Sequence, residues 1–92
     1  MQGAYGIAAF RSRQQVLKTN EQLRRQGIAS DIVSTPREIS AGCGLSVRFD
    51  LKDAANVKNT IGKTRSQNLI GLYRVDPAQG MNTRLSVLTM HP

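Results

Sequence analysis

The chain has 92 residues, 39% of them apolar, which is enough for one domain around one compact core and not for two. No apolar run approaches the ~20 residues of a membrane-spanning helix, and one cysteine (Cys43) with one histidine (His91) excludes an internal disulfide and a closed zinc site. The net charge of +7, from 13 Lys and Arg against 6 Asp and Glu, fits a solvated surface or an anionic partner, but no run of like charges marks a nucleic-acid tail.

Taken in chain order, residues 4–10 (AYGIAAF) read as a strand from their apolar density and aromatic ends, weakened by two glycines and three alanines. Ser12 then offers an N-cap, and Gln15 three residues on completes a capping-box pattern. The helix that follows places Val16, Thr19 or Asn20, and Leu23 on one face, with Leu17 beside them. Gly27 stops it after the Arg24–Arg25 pair, whose charges suit a helix C-terminus. Residues 28–35 (IASDIVST) read as a second strand ended by Pro36, and PREISAGCG as a loop or single helical turn.

Residues 45–49 (LSVRF) alternate cleanly, with Leu45, Val47 and Phe49 on one face and Ser46 and Arg48 on the other. Asp50 caps a second helix whose buried stripe is Ala54, Val57 and Ile61, with Asp53 in its first turn and Gly62 softening its end. LIGLYRV (69–75) is the last strand of this unit, closed by Asp76-Pro77. The order β-α-β-β-α-β predicts an α+β ferredoxin-like domain over 1–76: a four-stranded antiparallel sheet with both helices on one face. Residues 77–92 lie outside it, as a disordered tail or an extra edge strand.

The segment TPREISAGCGLSVRF (35–49) holds the one candidate chemical centre, the thiol of Cys43. The thiolate is the nucleophile, so a working cysteine needs neighbours that favour the anion. Gly42 and Gly44 allow backbone conformations in which adjacent N–H groups converge on it, and they leave room for a second macromolecule. Arg37 and Arg48 are near in sequence and offer positive charge. Each feature also has a plain structural reading: a Gly-Cys-Gly turn entering a strand, a small buried hydrophobe, a solvated sheet arginine. Glu38 is a base or, more simply, a turn residue. A Cys43–His91 pair would depend on the chain end, where order is poorest.

Ser12 after the Phe10-ended strand, then TPREISAGCGLSVRF, then IGLYRV, resemble the small bacterial domains of the selenium/sulfur carrier protein-like family over roughly residues 5–75. The motif falls on Thr35, Pro36, Arg37, Ser40, Cys43 and Gly44, and more loosely on Ser12. The high basicity and the C-terminal segment depart from it. The resemblance implies a carrier rather than a catalyst, without cofactor or metal, that holds sulfur or selenium on Cys43 as a persulfide or perselenide. Arg37, Ser40, Gly42, Gly44 and Arg48 would support the anion, and the partners would be donor and acceptor enzymes.

Two other classes fit the same residues. One is a protein-interaction module with an inert cysteine, dimerising through a sheet edge or residues 84–90. The other is a basic nucleic-acid-binding module, which the residues disfavour: RNA-recognition domains of this topology stack bases on aromatics of the third and first strands, and here Phe49 shares the face of Leu45 and Val47. The lone thiol suits a reducing compartment, and MQGAYGIAAFRSR is too short and polar for a signal peptide, so a cytoplasmic location is expected.

Overall fold

The structure, a computed structural model, describes residues 3–39, 42–64, 68–77 and 83–88, with 64 and 83–85 by backbone alone. The elements are β1 (Tyr5–Phe10), α1 (Arg13–Arg25), β2 (Ser30–Ser34), β3 (Leu45–Asp50), a 3-10 turn (Leu51–Asp53), α2 (Ala54–Thr64), β4 (Leu69–Pro77) and β5 (Thr83–Leu88). The strands pair antiparallel in the order β2-β3-β1-β4-β5. The first four form the ferredoxin-like sheet. The fifth extends it, so of the two expectations for the C-terminal segment the extra edge strand is the one observed.

Alternation along the strands separates two apolar clusters. Ala8, Phe10, Val47, Phe49 and Leu72 meet Val16 and Leu23 of α1, and Val57 and Ile61 of α2, on the helix side. Full burial of such a side chain stabilises by roughly 1.5–3 kcal/mol. Ile7, Ala9 and Val75 face the opposite side, where Ile39 from the β2–β3 loop covers them. Gly6 belongs to the helix side, and a Cβ there would collide with the Phe49 ring.

Local chemistry explains the boundaries. Ser12 caps α1, its side chain accepting the Gln15 N–H at 3.3 Å. Only half of the capping box forms, because the Gln15 side chain instead donates to Thr19 Oγ1 at 3.2 Å. At the other end Gly27 has φ +81°, its N–H bonds Arg24 O, and Ile28 N–H bonds Leu23 O. This is a Schellman cap, with Ile28 and Leu23 in the same cluster. Ile28 therefore closes the helix instead of opening the strand, and β2 starts two residues later than its apolar run suggests. Asp50 caps the 3-10 turn that leads into α2, accepting from Lys52 N–H. Gly62 lies inside α2, which runs on to Thr64.

Candidate functional site

The end of the sheet where β1 finishes and β3 and β4 begin is assembled by main-chain bonds. The β1–β4 register shifts between Ala9 and Phe10, so that Phe10 pairs with Leu69. This bulge keeps Phe10 and Leu69 on the helix side and sends Ile70 to the other. Arg11 N–H then bonds Asn68 O at 2.7 Å, and Cys43 N–H bonds Phe10 O at 3.2 Å. Cys43 is thus pinned two residues before the N-cap of α1, at the end of the sheet where that helix begins.

The β2–β3 loop reaches Cys43 by straddling the sheet end. A turn closed by Ile39 N–H to Pro36 O drops Ile39 onto the open face, where it is 8% exposed. Cys43 then packs, half-buried, against the helix-side cluster. The crossing needs Gly42 at φ +108° and Gly44 at φ +89°. At Gly42 a Cβ would also stand 2.7 Å from Phe10 O. The loop's base is tied by Thr35 N–H to Gly44 O at 2.9 Å and by a 2.7 Å hydroxyl bond between Thr35 and the fully buried Ser46.

The predicted residues separate on this frame. Gly42, Cys43 and Gly44 form one turn, and Arg37 lies exposed on the turn of the same loop. Ser40 lies outside the described residues, as does His91. Arg48 is corrected as a neighbour of the sulfur. It lies three residues beyond Leu45 in β3, on the side of the sheet opposite Cys43, and its guanidinium sits 4.2 Å from the centroid of the Tyr5 ring. A strand rises about 3.3 Å per residue, so the three steps from Leu45 alone carry Arg48 roughly 10 Å along the sheet from the turn that holds Cys43. The expected cradle of amides is reduced as well, since the Cys43 N–H is committed to Phe10. The thiol itself points to Leu45 O, 3.6 Å away. Glu38 is exposed.

Sequence reasoning missed Phe10, Ile39 and Ser46 as parts of the site. The one signal was Ile39, a lone large apolar side chain in an otherwise polar loop. Among the described residues no three His, Cys, Asp or Glu side chains gather to hold a metal. Also among them, no helix is long and apolar enough to cross a membrane.

The family described as "Putative Se/S carrier protein-like" matches residues 5–73, three quarters of the chain and all of the loop bearing Cys43. The chain belongs to this family. No match was found among curated proteins or solved structures. A carrier role, as opposed to catalysis, rests on the family name alone.

Proposed function

We propose that the protein carries sulfur or selenium on Cys43 Sγ between a donor and an acceptor protein. The observation that carries this reading is the family match across the chain's one cysteine, held half-exposed on a glycine-flanked turn. In the loading step the Cys43 thiolate attacks the outer sulfur of a donor persulfide. The new S–S bond forms as the donor's own S–S bond breaks, the donor leaves as a thiolate, and Cys43–S–SH results with no net oxidation. A perselenide transfers in the same way. An acceptor thiolate then takes the outer atom and restores Cys43.

Two features support an anion at this position. The positive end of the α1 dipole lies at the same end of the sheet. Arg37 shares the loop. The supporting set becomes Arg37, Ser40, Gly42 and Gly44, without Arg48. The chemistry calls for a reducing, cytoplasmic setting. It also argues against nucleic acid as a partner, since Phe49 is buried against the helices and Arg48 already occupies the Tyr5 ring.

A second reading has its own observation. The thiol is half-buried and bonded to Leu45 O, as in a structural cysteine of an interaction module. Intact mass under non-reducing conditions, after incubation with a cysteine desulfurase and cysteine, separates the two. The carrier reading expects a gain of one sulfur, reversed by thiol and absent in Cys43→Ser. No gain, or a gain that survives the substitution, overturns it.

A further inference from the structure

Charge is not spread evenly between the two ends of the sheet. At the end opposite Cys43 lie Glu21, Asp31, Asp50, Asp53 and Asp76, and three arginines there are engaged: Arg24 with Asp31 at 3.8 Å, Arg25 with Glu21 at 3.1 Å, and Arg74 with Asp76 at 3.1 Å. At the Cys43 end Glu38 is the one acid, while Arg11, Arg13 and Arg37 are all exposed and none forms an ion pair among the described residues. The first turn of α1 carries no acidic residue, and Arg13 opens the helix. A cation there opposes the helix dipole, which favours negative charge at this end. The local field is therefore positive from both side chains and backbone. Among the described residues no carboxylate, Glu38 included, pairs with these three arginines.

We infer that this end docks an acidic surface of a partner protein, with Cys43 at the centre of the contact. The partner's identity rests on the carrier reading: it is the protein that loads or unloads Cys43. Unpaired exposed cations steer an acidic partner and set its orientation, which a transfer between two sulfur atoms requires. A single-stranded nucleic acid is the weaker match, because such strands stack on aromatic side chains. The one described aromatic at this end, Phe10, is 1% exposed.

The test uses a fluorescein-labelled peptide of repeating Glu-Gly and a single-stranded oligothymidylate of equal charge, titrated at low and physiological salt. Two variants lose the same formal charge: Arg11→Gln/Arg13→Gln/Arg37→Gln at the Cys43 end, and Arg25→Gln/Lys52→Gln/Arg74→Gln at the other. The expected result is peptide binding weakened at least about ten-fold in the first and less than about two-fold in the second. Equal losses reduce the effect to net charge and overturn the inference. So does oligothymidylate binding that exceeds peptide binding and is lost in the first variant. If desulfurase loading fails while this binding pattern holds, the carrier reading falls and the docking surface stands. Circular dichroism confirms that each variant folds, and Arg13→Gln alone is expected not to lower the thermal midpoint.

Discussion

The two ends of the sheet are built by different means. The Cys43 end is held by main chain: Cys43 N–H to Phe10, Arg11 N–H to Asn68, Thr35 N–H to Gly44, and two glycines at positive φ. Its charged side chains are left facing outward. The opposite end answers its arginines with carboxylates and lays Arg48 on Tyr5. An end fixed through its backbone can keep its side chains for a partner. An end that pairs its charges internally has fewer to offer.

The sharpest way to break this contrast is through the backbone. Gly42→Ala forces a Cβ at φ +108° to within 2.7 Å of Phe10 O. Left-handed backbone costs about 1–2 kcal/mol for an L-residue, and displacing the loop adds to it, so a total loss of about 3 kcal/mol is expected in denaturant unfolding. The same change should speed alkylation of Cys43 by freeing the loop. Gly44→Ala and Gly27→Ala, at φ +89° and +81° with open space around them, should lose only about 1 kcal/mol each.

Next in size is the hydroxyl pair beneath the loop. Thr35→Val leaves Ser46 Oγ buried without its 2.7 Å partner and should cost about 1–3 kcal/mol. Adding Ser46→Ala should recover part of this, a coupling that a double-mutant cycle reads directly. Ser12→Ala removes the N-cap of α1 and should cost about 1 kcal/mol by urea titration. Smallest of all, Arg74→Ala breaks an exposed ion pair and should change stability by no more than about 0.5 kcal/mol. If Arg74→Ala proved as costly as Gly42→Ala, the distinction between a backbone-built end and a charge-paired end would collapse.

Much of this architecture was legible residue by residue. The Ser12 cap, the Val16–Thr19–Leu23 face, the Gly27 stop and the alternation through Leu45, Val47 and Phe49 all appear where period and capping chemistry put them. Errors gathered where one residue had two legitimate uses. Ile28 fits a strand, yet the Schellman cap takes it for contact with Leu23. Gln15 fits a capping box, yet its amide donates to Thr19 instead. Ser46 falls on the face opposite Leu45, Val47 and Phe49, yet it is completely buried and its hydroxyl is bonded to Thr35. Of the site, the turn at Gly42–Gly44 was readable because only glycine adopts its angles cheaply. Arg48 was misplaced because distance along a strand grows quickly with each residue.

What the sequence determined alone is the set of local choices: helix against strand, where each helix starts and stops, and a single thiol set between two glycines. These follow from forces acting within a few residues. Only the tertiary structure decided what surrounds that thiol. Strand pairing brought the Phe10 carbonyl to Cys43, put Arg48 on the far side of the sheet, and gathered Arg11, Arg13 and Arg37 at one end with Glu38 as their one acidic neighbour. Register is a long-range agreement between strands, and no single segment carries it.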